Sequence, residues 1–189
     1  MITPILLRAR SLDEPGAGIP HAGIWEGTVG QPAVLPEPMH NTSMLGGCLC
    51  GAVRYKIVQQ PRTLYACHCK DCQTVSGASF VLAMQVPSSG MEIVRGEPRL
   101  YARARSDGRK KNVFRCPSCL TALWSSHIEP HEYVTVYAGT LDDTSDLRPV
   151  AHLWTRDAQS WIALPKDGLL FDEGPPNMQM LVQAWRDQE

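Results

Sequence analysis

The chain has 189 residues, which suits one domain with an appendage. Its 18 Lys and Arg against 19 Asp and Glu leave a formal net charge of −1, so the basic footprint of a dedicated nucleic-acid binder is missing. With 43% hydrophobic and 20% charged residues the composition is that of a folding chain, and no apolar run reaches the roughly 18–20 residues that span a bilayer, so the expectation is a cytoplasmic protein without nucleic-acid or membrane partners.

Residues 1–43 hold six of the 15 prolines, five of the 15 glycines and no cysteine, a composition that resists helix and interior strand. They read as an N-terminal extension, with Ile5, Leu6, Leu7, Ile24 and Trp25 available to bury. A second region, 44–174, reads as a β domain of short runs divided by turns: Ala52–Val58, Ser79–Val86, Met91–Val94, Arg99–Arg105, Asn112–Arg115, Thr121–Trp124, Tyr133–Ala138 and Ala151–Thr155. Asp107-Gly108 predicts a hairpin turn leading into Cys116, because glycine accepts positive φ without steric cost. Helix is expected for a turn or two after Cys69. It is also expected in the tail, 175–189, where Met178–Trp185 follows the breakers Pro175 and Pro176.

All seven cysteines fall between Cys48 and Cys119, spaced Cys48-x-Cys50, Cys67-x-Cys69-x-x-Cys72 and Cys116-x-x-Cys119. Disulfides between such near neighbours would close small, strained rings, whereas short thiolate pairs suit tetrahedral zinc. A redox Cys-x-x-Cys would explain either later pair but not the other clusters. Structural zinc is enclosed by four protein ligands, and catalytic zinc commonly keeps three and an open position. Seven divides as four plus three. Two partitions are compatible with spacing: Cys69 and Cys72 with Cys116 and Cys119, or Cys48 and Cys50 with Cys116 and Cys119, the latter leaving Cys67, Cys69 and Cys72 as a compact three-thiolate site. An eighth ligand from His68, His127, His131 or His152 would close the second site and reduce the protein to a structural module.

Gly46-Gly47-Cys48-Leu49-Cys50-Gly51-Ala52-Val53-Arg54-Tyr55, Cys67-His68-Cys69-Lys70-Asp71-Cys72 with Ser76–Phe80, and Phe114-Arg115-Cys116-Pro117-Ser118-Cys119 resemble the glutathione-dependent formaldehyde-activating enzyme family, which includes centromere protein V. Gly139–Asp143, His152-Leu153-Trp154, Trp161 and Asp167-Gly168 extend the likeness, from about Gly46 to Phe171. The resemblance implies a mainly β, Mss4-like β-tent of short antiparallel strands with zinc knuckles and two zinc ions per chain. It implies a structural zinc on Cys48, Cys50, Cys116 and Cys119, and a catalytic zinc on Cys67, Cys69 and Cys72. It further implies a carbon–sulfur lyase or synthase acting on a thiol–aldehyde adduct, with a glutathione-like thiol and formaldehyde as partners. The alternative is a non-catalytic scaffold on the same fold, and a homo-oligomer is left open.

Two features depart from the family pattern: the N-terminal extension, and Leu120 where glycine usually follows the last knuckle cysteine. Three thiolates on Zn²⁺ carry net negative charge, so cations should lie nearby, and Lys70 and Arg54 are candidates by their place in the sequence. Arg99, Arg103 and Arg105 alternate on one strand face and Arg109, Lys110 and Lys111 follow the turn; they could receive carboxylates, but a solvated hairpin is the favoured reading. His152, Trp124, Trp154 and Trp161 are expected as packing or pocket-wall residues, and Asp142-Asp143 as turn or capping residues.

Overall fold

The computed structural model describes residues 43–127 and 132–188. The extension read over 1–43 falls outside them apart from Ser43, as does His131. The described strands are β1 (Met44–Gly47), β2 (Arg54–Ile57), β3 (Thr63–Cys67), β4 (Val81–Pro87), β5 (Met91–Arg95), β6 (Arg99–Ala104), β7 (Lys110–Arg115), β8 (Ala122–Ser126), β9 (Tyr133–Tyr137), β10 (Ala151–Leu153) and β11 (Leu169–Phe171). Two helices accompany them, α1 (Lys70–Ser76) and α2 (Met178–Arg186). The protein is therefore mainly β with a short C-terminal helix, and no helix among the described residues is long and apolar enough to cross a membrane.

Three strands form one sheet in the order β1-β2-β5, and eight form the other in the order β11-β10-β3-β4-β9-β8-β7-β6. Asp107 and Gly108 turn the β6–β7 hairpin as the sequence predicts: Gly108 adopts φ 79°, and Arg105 N–H donates to Arg109 O at 2.7 Å. Most ladders are antiparallel, but β10 runs parallel to both β3 and β11. Parallel pairing needs a long crossover, which hairpin-spaced runs do not announce. Strand β3 escapes sequence reading for another reason. Four of its five residues are buried, so no polar alternation marks it.

The main core lies where one face of the large sheet meets the small one, and includes Tyr55, Leu64, Met84, Trp124 and Val136. At Gly46, on β1, a β-carbon would run into the Tyr55 ring and the Thr140 carbonyl, which explains the glycine there. Helix α2 begins with Asn177, whose side chain accepts from Gln179 N–H, and is amphipathic. Its Leu181 is buried with Val150 and Leu153, and its backbone carbonyl at Leu181 accepts from Thr63 Oγ1 at 3.0 Å.

Tyr55 is fully buried, its hydroxyl lies 2.7 Å from Thr140 Oγ1, and burial pushes its pKa up to about 12. The folded state thus keeps a proton that the unfolded chain releases near pH 10. This contribution is complete below that pH and disappears as the pH rises towards 12, a difference of about 2–3 kcal/mol. Tyr55→Phe is expected to cost about 1 kcal/mol near neutrality and to make the alkaline fall in stability shallower. Urea unfolding at pH 8 and pH 11 measures this, and an unchanged alkaline slope would remove Tyr55 as its source.

Candidate functional site

The first cysteine knuckle turns between β1 and β2. Cys48 N–H donates to Val53 O, Gly51 N–H to Cys48 O, and Gly51 supplies φ 72°. Val53 N–H points at Cys48 Sγ from 3.2 Å. The second knuckle follows β7: Cys116 N–H donates to Thr121 O, and Leu120 N–H to Cys116 O. Thr121 links the two, since its Oγ1 accepts from Leu49 N–H at 3.3 Å and lies 3.1 Å from Cys119 Sγ. Leu120 sits at φ 60°, where a residue with a β-carbon costs about 1–2 kcal/mol. The turn keeps its left-handed geometry despite the missing glycine.

These turns gather Cys48, Cys50, Cys116 and Cys119 so that all four sulfurs lie within 4.8 Å of one another. The sulfur separations are 3.5 Å for Cys48–Cys50 and 3.7 Å for Cys50–Cys116. A tetrahedral ion with Zn–S bonds near 2.3 Å has edges of about 3.8 Å. The donor set fits. Burial resists ionisation of Cys48, but the Val53 N–H, Cys116 and Cys50 bring its pKa down overall. Thr121 draws Cys119 down to about 5.

The second group is built by the end of β3 and the start of α1. Cys67 is the last residue of β3, Cys69 stands before the first turn of α1, and Cys72 lies in that turn. Their sulfurs also lie mutually within 4.8 Å, with Cys67 and Cys69 3.5 Å apart. Hydrogen bonds from Cys67 and Cys72 pull Cys69 down to about 2, and the Cys72 N–H adds to this. The same sharing pushes Cys67 up strongly through Cys69. Cys72 is drawn down by Cys67 but pushed up further by Cys69 and burial, to about 11. Three crowded thiols thus favour a single negative charge unless a cation is present.

The spatial grouping is the second of the two partitions that spacing allowed. No histidine among the described residues is close enough to join either group. His68 is fully buried, its ring stacked on His152, with Nε2 2.9 Å from His152 Nδ1. Burial lowers the pKa of both imidazoles. His152 is therefore a packing partner, as read. Trp124 is core and Trp154 half-buried, but Trp161 is 72% exposed and only its Nε1–H is tied down, to Gln159 Oε1.

The cations differ more from expectation. Arg54 pairs with Asp142, and the exposed Lys70 donates to Asp157 O, so neither is turned to the three-cysteine group. The β6–β7 hairpin is not uniformly solvated. Arg99, Arg109 and Lys110 are exposed, whereas Arg103, Arg105 and Lys111 are half-buried. Arg103 and Arg105 lie 3.9 and 3.7 Å from Asp71 of α1, and Ser106 N–H donates to the same carboxylate. The large sheet therefore curls until its edge strand reaches the helix that follows β3. Registers place Cys67, Tyr65, Tyr137, Ser125, Arg103 and Lys111 on the concave face. Burial lowers the Lys111 pKa, and the charges of Cys72 and Cys67 oppose it. Burial raises Tyr137, with Cys72 adding to the shift. Tyr65, Tyr137 and the inward role of Lys111 went unseen in the sequence. Alternation separates two faces of a strand without saying which one a curl will enclose.

Between α1 and the second knuckle opens a cleft of about 650 Å³. Val75 and Ser76 of α1 and Val81 of β4 border it on one side, and Cys119, Leu120 and Thr121 on the other.

The sequence pattern of the glutathione-dependent formaldehyde-activating enzyme family matches residues 43–157. A protein of Halomonas elongata, provisionally named a glutathione-dependent formaldehyde-activating enzyme, is 29% identical over 126 residues, covering 63% of this chain and 79% of its own. A crystal structure of a Rhodobacter sphaeroides protein matches 55% of this chain and 92% of its own, at 22% identity and a TM-score of 0.43.

Proposed function

Because this chain belongs to the glutathione-dependent formaldehyde-activating enzyme family, we propose that it catalyses the reversible addition of a glutathione-like thiol to formaldehyde, as a zinc-dependent carbon–sulfur lyase. In this reading Cys48, Cys50, Cys116 and Cys119 hold a structural zinc, and Cys67, Cys69 and Cys72 hold the catalytic one. The observation that carries it is the unequal division of seven thiols into an enclosing four and an incomplete three. Zinc at the three-cysteine site would supply soft Lewis acidity that keeps a fourth, substrate sulfur deprotonated near neutral pH.

The chain's own groups do the rest. Cys69, at the N-terminal end of α1, is the easiest of the three to ionise. Lys111, Arg103 and Arg105 offset the negative charge of three thiolates and an incoming fourth, and their N–H groups can orient substrate carboxylates. The Nε atoms of Arg103 and Arg105 are buried without a hydrogen-bond partner among the described residues, and that of Arg105 faces Asp107 and Asp71 at 3.4 and 3.7 Å. Tyr137 keeps its proton at neutral pH and can donate to the oxygen that gains charge as the carbon–sulfur bond forms.

Mixing the zinc-loaded protein with formaldehyde and each of several thiols, and following adduct formation by NMR, tests the reading. Acceleration with glutathione above the other thiols is expected. No acceleration with any thiol would point to the scaffold alternative. Lys111→Met is expected to lower kcat/KM by about 10–100-fold, the worth of a charged hydrogen bond at a shielded site. Lys111→Arg should recover part of the loss, and equal defects in both variants would count against a charge role.

A further inference from the structure

Formaldehyde brings one carbon, yet the cleft beside the three-cysteine group has a volume of about 650 Å³. None of the three cysteines lines it, and it adjoins them through their neighbours. Val81 in its wall is the cross-strand partner of Cys67, and Ser76 in its rim donates to the Cys72 carbonyl at 2.8 Å. Tyr137 borders the cleft and stands on the same sheet face as Cys67.

The walls are largely apolar. Leu120 and Phe80 leave 58% and 38% of their surfaces open, and Val75, Ala78 and Ala122 complete the wall. Leu120 is the unusual member, because φ 60° is a conformation that disfavours any residue with a β-carbon. The position tolerates this while the side chain stands largely uncovered, so the leucine gains little from packing within its own chain. Arg115 Nη1 donates to the Leu120 carbonyl at 2.9 Å and fixes the turn that presents it. Unfavourable backbone geometry combined with an uncovered apolar side chain in a cleft wall suits a ligand contact better than a folding contact.

We propose that this cleft, walled by Leu120 and Phe80, receives an aliphatic chain carried on the sulfur-bound carbon of a glutathione adduct. The protein then acts on hemithioacetals of medium-chain aliphatic aldehydes as well as on that of formaldehyde. The inference rests on the glutathione reading above. The chemistry balances without a redox partner: the thiol sulfur bonds to the aldehyde carbon, the C=O π pair moves to oxygen, and the proton lost from the thiol ends on that oxygen. The reverse step breaks the carbon–sulfur bond and returns aldehyde and thiol.

Calorimetric titration of the zinc-loaded full chain with S-methylglutathione and S-hexylglutathione, which are stable thioethers, tests it. Each buried methylene contributes up to about fourfold in affinity, so the hexyl compound is expected to bind at least tenfold more tightly. Leu120→Gly removes the wall and suits the backbone angle, and should reduce that ratio to below about threefold with zinc content unchanged. Ala78→Trp, at an exposed rim position, fills the cleft and should equalise the two ligands. Equal affinities in the parent protein, or a ratio that neither variant changes, overturns the inference. Formaldehyde and glutathione turnover separates the failures: retained turnover without chain-length dependence sinks only the cleft assignment, and absence of both turnover and binding sinks the glutathione reading with it.

Discussion

Cys116→Ala is expected to lose about one of two zinc equivalents and to leave the chain largely unfolded at ambient temperature. Cys116 is fully buried within the main core, its N–H and carbonyl close the second knuckle, and its sulfur stands 3.7 Å from Cys50 in the first. The four-cysteine group thus joins two loops 66 residues apart. Leu49 N–H donates to Thr121 Oγ1 across the same junction. Structural zinc sites contribute on the order of 10 kcal/mol, comparable to the whole stability of a typical domain, about 5–15 kcal/mol. Losing one ligand, and with it the ion, should exhaust that margin. Metal analysis with circular dichroism melting decides the matter, and a cooperative transition within a few degrees of the parent would show that this site is not what holds the knuckles.

Cys67→Ala is expected to behave in the opposite way, with turnover reduced by about 10³-fold or more and a fold that stays cooperative. Cys67 ends β3, whose backbone is secured by β4 on one side and β10 on the other whether or not a metal is bound. Of its neighbours, Cys69 immediately precedes α1 and Cys72 lies in it, and α1 also holds the β6–β7 hairpin through Asp71 and the 3₁₀ turn at Thr155–Asp157 through Gln73. Removing one thiol should release one zinc and cost roughly 1–3 kcal/mol of packing. The measurement pairs zinc content with formaldehyde–thiol kinetics and a urea titration. Equal unfolding in both cysteine variants would dissolve the division between structural and reactive metal.

Legibility in the sequence varied with the range of the interaction. Local rules located the Asp107-Gly108 hairpin, both helices and most strands, because turn geometry and helix capping are set within a few residues. β1, β3 and β11 were missed: two are short, and β3 lacks the alternation that marks a half-exposed strand. The cysteine spacings were plain, but their grouping was not, since both partitions obey the same local chemistry. Lys111 shows the limit most clearly. Its sequence setting is that of a charged turn, and only the curl of the eight-stranded sheet carries it towards Cys67 and Cys72.

By itself the amino-acid order determined that seven thiols occur in three short clusters within a β-rich chain of nearly balanced charge, and that metal binding explains them better than disulfides. Tertiary structure alone decided which thiols stand together, which cations face them and what space adjoins them. The reason is physical. Ligand chemistry and turn preference act over a few bonds, whereas sheet order and curl depend on pairings between residues far apart in the chain, and those pairings choose the neighbours across the concave face.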